Sequence, residues 1–114
     1  MAAPVPLTHA VVLEELQTIP DGLGGQTESW TALGTLWAAL EPGTGGETAD
    51  AAVARARVPW RVVVRGAPVG APSRPRPGQR FRLGVRRFRI LAVAERDRRG
   101  ARLTCFTEQE EPSA

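Results

Sequence analysis

The side chains that most often carry catalysis are scarce in this chain of 114 residues, which has one histidine, His9, and one cysteine, Cys105. A nucleophile–base pair or a metal site needs several such groups, and one of each does not supply them. Its carboxylates do not pair within apolar segments, as the dyad of a glycosidase would. The glycine-rich run at residues 21–25 lacks the Lys-Ser/Thr of a phosphate-binding loop, and no helix start follows it. The sequence therefore predicts a protein that is not an enzyme and has no cofactor or metal ion.

Charge is distributed unevenly along the chain. All 15 basic residues are arginine and lie within residues 55–102, whereas residues 1–54 contain seven acidic residues and no basic one. This split indicates either a surface that binds nucleic acid or complementary faces that steer one protein chain onto another. A solvated, arginine-rich face of a sheet is an equally simple interpretation.

No segment approaches the roughly 20 consecutive apolar residues that a transmembrane helix needs. The N-terminal segment lacks the basic start of a secretory signal peptide and carries prolines where its apolar stretch would lie. A single cysteine excludes an internal disulfide and is compatible with a reducing compartment. These features predict a cytoplasmic protein without a membrane partner.

Six runs have the alternation or the β-branched content that is typical of β-strands. They are Leu7–Ile19, Thr27–Leu40, Val58–Gly66, Arg80–Leu83, Arg86–Ala94 and Ala101–Thr107. The DGLGG run at residues 21–25 predicts a turn, and Asp97–Gly100 predicts the last hairpin. The pattern predicts a mainly β chain, a small antiparallel β-barrel or sandwich of about six strands, as one domain over residues 1–114.

Four segments are not typical of a sheet. Residues 1–6 predict a loose arm, and residues 109–114 predict an acidic tail. Residues 43–57 form a glycine-rich, flexible insert whose alanine-rich second half also favours a short helix capped by Thr48. Residues 67–79 form a connector with four prolines, which cannot pair inside a sheet because proline lacks an amide hydrogen.

Two tryptophans seven residues apart, Trp30 and Trp37, mark the second predicted strand. This spacing places them on opposite faces of a regular strand, unless a bulge near Gly34 resets the alternation. One hypothesis places both in the core. The other gives one of them a role in an interface, where tryptophan is enriched among the residues that dominate binding.

Short motifs occur in a characteristic order along residues 7–108. They are the turn Asp21, Gly22, Gly24 and Gly25, the pair Trp37 and Ala38, the pair Gly46 and Glu47, the strand residues Trp60, Val62, Val64 and Arg65, the run Arg87–Val93, and the final Leu103, Thr104, Cys105 and Glu108. In this order the chain resembles the head–tail joining, or head-closure (stopper), proteins of tailed phages and gene transfer agents. The connector at Ala67–Gln79 departs from the family pattern, since it is longer and richer in proline.

The resemblance implies a β-barrel that assembles as a ring, typically of six copies, in the head–tail neck of a virion or phage-like particle assembled in the bacterial cytoplasm. Its partners would be the portal and adaptor proteins above, the tail terminator protein below and packaged double-stranded DNA, bound without sequence specificity. The insert residues expected at the DNA channel are Gly45, Gly46, Glu47, Thr48 and Asp50. The residues expected at subunit or partner interfaces are Trp30, Trp37, Arg61, Arg65, Arg74 and Arg76.

Two alternatives remain open at this level. One is the neighbouring role of a tail-completion protein, which has a similar sequence pattern. The other is a small arginine-rich module with an OB-like fold, which would stack nucleic-acid bases on exposed aromatic residues beside a basic groove. The aromatic residues available for that role are Trp60, Phe81, Phe88 and Phe106.

Overall fold

The structure, a computed structural model, describes residues 5–43 and 57–110. It contains six strands: β1 (His9–Pro20), β2 (Gln26–Pro42), β3 (Arg57–Arg65), β4 (Arg80–Leu83), β5 (Arg86–Glu95) and β6 (Arg102–Glu110). All six predicted strands are present, and their ends lie within three residues of the predicted ones. No helix occurs among the described residues, and the possible short helix in the insert lies outside them.

The strands form one antiparallel sheet that closes on itself in the order β1-β2-β3-β6-β5-β4. Closure is made by β4, which pairs with β1 over Val12–Glu14. A closed sheet leaves few free strand edges, and free edges are where unwanted pairing with other chains begins. The predicted mainly β fold is confirmed, and it takes the form of a barrel.

Alternate residues of all six strands fill the barrel, as expected when every second side chain points inward. The buried members of this core are Val11, Leu13, Ala38, Val62, Val64, Phe81, Phe88, Ile90, Leu103 and Cys105. Trp60 packs edge-on against Phe88, with ring centroids 6.3 Å apart and an interplanar angle of 85°, which is a favoured aromatic geometry. Burial of each large apolar side chain contributes about 1.5–3 kcal/mol to folding.

The proline-rich connector joins strands on opposite sides of the barrel, because two strands separate β3 from β4 in either direction around the sheet. It crosses the barrel end, where Pro72 lies beside residues of β1 and β2 and Pro75 is fully buried. Arg74 Nη1 donates a hydrogen bond of 2.9 Å to the carbonyl of Ala67 and so ties the connector to itself. The length and proline content of this segment follow from the crossing that it makes.

The sheet extends into the predicted insert and tail. The amide of Gly43 donates to the carbonyl of Pro59 at 3.0 Å, and Arg57, the first residue of β3, pairs with Glu110 at the end of β6. Both ends of the insert are therefore held beside each other at one end of the barrel. Residues 44–56 lie outside the described residues.

β1 and β2 are longer than the barrel to which they belong. β4 pairs with β1 no further than Glu14, and β3 pairs with β2 only over Ala38–Pro42. Beyond these ladders, Glu15–Pro20 and Gln26–Thr31 pair only with each other. We call residues 15–31 the projecting hairpin.

The tip of the projecting hairpin is the predicted glycine turn. Asp21 Oδ1 accepts hydrogen bonds from the amides of Leu23 at 2.7 Å and Gly25 at 3.0 Å. Gly22 and Gly24 adopt φ angles of 80° and 87°, a region that glycine enters without steric cost. The turn is thus specified by its own residues, without contacts from the barrel.

Candidate functional site

A β-bulge in β2 decides where the two tryptophans point. The pairing with β1 shifts by one residue, since Leu13 faces Gly34 and Glu14 faces Ala32. Gly34 has a φ of 157°, which side chains rarely adopt, and the predicted irregularity at this glycine is confirmed.

The shift places both tryptophans on the outer face of the barrel. Trp30 faces Leu16, and Trp37 faces Ala10, and these two β1 residues are an even number apart, as same-face positions must be. A regular strand would have placed them on opposite faces, and the predicted exception, a bulge near Gly34 that resets the alternation, is confirmed. The hypothesis that both tryptophans belong to the core is wrong, since Trp37 is 60% exposed and Trp30 is half-buried.

Trp30 lies at the base of the projecting hairpin, under an arginine. The guanidinium carbon of Arg80 lies 4.1 Å from the centre of the Trp30 ring, within the range of a cation–π interaction. The same arginine donates from Nε to Glu14 Oε1 at 2.6 Å. Trp30 therefore covers an ion pair of its own chain on the outside of the barrel.

Glu14 is the centre of a buried ionic cluster that the sequence did not indicate. Its carboxylate is 8% exposed and accepts from Arg80 Nε at 2.6 Å and from Arg82 Nε at 2.9 Å. Burial raises the pKa of Glu14, but the hydrogen bonds and charges of Arg82 and Arg80 outweigh burial and hold this pKa below its usual range. Because Glu14 lies far from both arginines along the chain, only the closure of β1 onto β4 brings them together.

A second group of residues surrounds Trp37. Leu7, Thr35, Leu36, Trp37 and Arg65 line a cleft of about 490 Å³, which we call the Trp37 cleft. Arg65 is exposed and forms no ion pair with any described residue. The structure thus brings together an exposed tryptophan and an arginine without an ion pair in the described part of the chain, both predicted for an interface.

The other three arginines predicted for interfaces have internal contacts or lie elsewhere. Arg74 is bonded within the connector, and Arg76 Nη2 donates to Glu15 Oε1 at 2.5 Å beside the projecting hairpin. Arg61 is half-buried on β3, and its Nε has no hydrogen-bond partner among the described residues. Their interface role stays a prediction, and the structure does not cluster them with Trp37.

The predicted channel residues Gly45, Gly46, Glu47, Thr48 and Asp50 lie outside the described residues. Only the attachment of their segment is defined, between the end of β2 and the start of β3. The end of β2 and the start of β3 lie at the barrel end opposite the projecting hairpin, because β2 runs away from the hairpin and pairs antiparallel with β3.

The aromatic residues do not form a platform for stacking nucleic-acid bases. Phe81 and Phe88 are fully buried, and Trp60 is packed against the core. Of these four residues only Phe106 is exposed, at 42%. Successive stacked bases need several exposed rings, so the burial of these aromatic residues argues against the OB-like alternative.

The described residues offer little reactive chemistry. They contain no group of three or more His, Cys, Asp or Glu side chains that could hold a metal ion. Burial raises the pKa of the Cys105 thiol to about 12, although the charge of Arg74 acts in the opposite direction, so the thiolate is scarce at neutral pH. Within the same residues, no helix has both the length and the apolar character needed to cross a membrane.

The chain matches the profile of the phage head completion protein family over residues 3–110. It belongs to that family. The resemblance drawn from the short motifs is confirmed by this match, which spans nearly the whole chain.

Two solved structures are similar to this chain. A chain from the virion of a native gene transfer agent particle is 51% identical, has a TM-score of 0.78, and is matched over 96% of this chain and 100% of that one. Protein SF1141 from Shigella flexneri 2a has a TM-score of 0.64 at 18% identity, over 95% of this chain and 96% of that one, and shares the fold. No protein among those with curated descriptions matches.

Proposed function

We propose that this chain acts as a stopper. It forms a ring, typically of six copies, below the portal and adaptor proteins. The ring retains packaged DNA and presents a docking surface to the tail terminator protein. The observation that carries the proposal is the 51% identity, over the full length of the other chain, to a component of a gene transfer agent virion. The proposed location is therefore a virion or phage-like particle assembled in the bacterial cytoplasm. The role is structural and requires no catalysis.

The ring is supported by a surface that the isolated barrel leaves unused. The Trp37 cleft combines an exposed tryptophan with an arginine that lacks an ion pair among the described residues. Tryptophan and arginine are the residue types most enriched at the energetic centres of interfaces. The uneven charge of the two halves of the chain adds a means of steering copies together.

Retention of DNA is assigned to the insert, residues 43–57, with Gly45, Gly46, Glu47, Thr48 and Asp50 facing the bore of the ring. The held ends of this segment, Gly43 and Arg57, support a loop that departs from one end of the barrel. Glu47 and Asp50 would repel the phosphate backbone, which keeps DNA from adhering to the channel wall.

Particles produced without this protein test the proposal by electron microscopy and by their DNA content. We expect heads that package DNA, lose it during purification and carry no tails. Tailed particles that keep their DNA in the absence of the protein would contradict the stopper role. Heads that keep their DNA but lack tails would instead favour the tail-completion alternative.

A second particle variant isolates the role of the insert. Replacing residues 44–56 by a short Gly-Ser link leaves the barrel and the Trp37 cleft unchanged, so these particles are expected to carry tails but to leak DNA. The control replaces the same residues by a Gly-Ser segment of equal length that keeps Glu47 and Asp50. Equal DNA retention by the short-link variant and the natural protein would remove the insert from the mechanism.

A further inference from the structure

We infer that the projecting hairpin of one copy docks in the Trp37 cleft of the next copy, and that this contact joins the ring. The inference rests on the proposed ring and names the two surfaces that form its junctions. It commits to a second copy of this chain as the occupant of the cleft.

The projecting hairpin has the properties of an element that needs a partner. Its two strands pair only with each other, and the outer edges of both lack hydrogen-bonded neighbours among the described strands. A two-stranded hairpin is marginally stable by itself in water. Leu23 at its tip is 90% exposed, and Ile19 nearby is 50% exposed. The hairpin therefore presents apolar surface that a partner would cover.

Charge selects between the possible occupants of the cleft. The hairpin contains Glu15, Asp21 and Glu28 and no basic residue. Glu15 is already paired with Arg76, so Asp21 and Glu28 are the acids available to a partner. Arg65 in the cleft pairs directly across β3 and β6 with Arg102, and like charges at opposed positions repel each other. An acidic segment is the partner that relieves this repulsion, and the projecting hairpin of another copy supplies one.

The contact cannot form within one chain. The tip at Leu23 and the cleft at Trp37 belong to the same β1–β2 ladder, whose pairing from Trp37 to Gln26, interrupted by the bulge beside Gly34, holds them apart. Two different surfaces therefore meet between copies, which makes the contact a heterologous interface. Contacts of this kind generate closed rings when the rotation between copies closes.

Hydrogen bonds to Glu15 in β1 fix the direction in which the hairpin projects from the barrel. Arg76 bonds to Glu15 at 2.5 Å, and Gln79 Nε2 donates to the same oxygen at 3.2 Å. These contacts tie the base of the hairpin to the connector that crosses the barrel end. A hairpin that is held at its base loses less freedom on docking than a free one.

Two single substitutions in the full-length chain test the junction. Leu23→Ser disables the tip, and Trp37→Ser disables the cleft; both side chains are exposed, so neither change removes core packing. Native mass spectrometry over a range of concentrations is expected to show rings for the natural chain and monomers for each variant, with at least a tenfold weaker association. Val85→Ser, at a 78% exposed apolar position outside both surfaces, is the matched control and is expected to form rings.

Mixing the two variants gives the decisive readout. A tip variant keeps its cleft and a cleft variant keeps its tip, so an equal mixture is expected to form one heterodimer and no larger species. Circular dichroism and the protection of Cys105 from thiol reagents report that each variant is folded. Folded variants that give no heterodimer would overturn the inference.

The outcomes separate this inference from the proposed function. Rings that persist in both variants would overturn the docking of the hairpin and leave the proposed ring intact. A natural chain that stays monomeric at every concentration would overturn the docking and the self-assembled ring together. The DNA-loss phenotype of particles lacking the protein does not depend on either result.

Discussion

The two halves of the β1–β2 hairpin differ in the burial of their apolar side chains. On the barrel side, Val11, Leu13 and Ala38 are at most 1% exposed. On the hairpin side, Ile19 and Leu23 are 50% and 90% exposed. The same pair of strands thus provides core packing at one end and exposed apolar side chains at the other.

The boundary between these halves is narrow. It lies at Glu14, the last β1 residue that pairs with β4, and at the bulge beside Gly34. The hairpin contributes no residue to the apolar core, so substitutions at its exposed tip are expected to leave folding unchanged. At its base, Trp30 contacts Arg80 and Glu15 bonds to Arg76. Stability and assembly are therefore expected to respond to different substitutions, which the following variants test.

The largest effect is expected from Phe88→Ala in the barrel core. Phe88 is fully buried and packs against Trp60, so its truncation is expected to lower the free energy of unfolding by about 4 kcal/mol. Urea unfolding measures the change. Leu23→Ala in the hairpin is the comparison and is expected to cost less than about 0.5 kcal/mol. Similar losses for the two variants would contradict the separation of the two halves.

Glu14→Gln, at the boundary, is expected to cost on the order of 3 kcal/mol at pH 7, because it leaves two arginines without their carboxylate. The pKa of Glu14 is lowered in the folded chain, so its contribution is complete above the ordinary value of 4.5 and is lost as the pH falls through the folded value. The difference between Glu14→Gln and the natural chain is therefore expected to shrink below about pH 4.5.

Unfolding curves at several pH values from 7 to 3 check this prediction. Glu28→Gln, at an exposed position of the hairpin, is the matched control and is expected to leave the stability at pH 7 unchanged. A difference for Glu14→Gln that stays constant with pH would show that the carboxylate charge does not stabilise the barrel.

Gly34→Ala is expected to cost about 1–2 kcal/mol, since a side chain at this φ is strained even though there is space for it. The same change is also expected to disturb the relative placement of Trp30 and Trp37, which tryptophan fluorescence reports. Thr35→Ala, one residue further and exposed, is the control. A Gly34→Ala variant with unchanged stability and fluorescence would contradict the proposal that the bulge at Gly34 places Trp30 and Trp37 on the same face.

The smallest global effect is expected from Asp21→Ala at the hairpin tip. The loss of two hydrogen bonds to the amides of Leu23 and Gly25 is expected to destabilise the hairpin locally by about 1 kcal/mol. Amide exchange within residues 15–31 is then expected to accelerate about fivefold, while the labelling of buried Cys105 stays unchanged. Faster labelling of Cys105 would show that the hairpin and the barrel unfold as one unit.

Local sequence patterns predicted the strands because each strand is defined by side-chain alternation and ended by its own glycines and prolines. The turn at Asp21 is the clearest case, since every hydrogen bond that shapes it lies within residues 21–25. The candidate site was predicted less completely. Trp37 and Arg65 were chosen by residue type, whereas the faces of Trp30 and Trp37 depended on a one-residue shift at Gly34 that alternation alone leaves undecided.

The sequence by itself determined the six strands, the glycine turn and the family, because these depend on neighbouring residues and on their order. Only the tertiary structure decided that β4 closes onto β1, that Glu14 is buried between Arg80 and Arg82, and that β1 and β2 outrun their neighbours to form the projecting hairpin. The physical reason is that pairing between strands far apart in sequence determines which side chains become buried. The alternation within a strand predicts which of its faces points inward, but it does not predict where the neighbouring strands end.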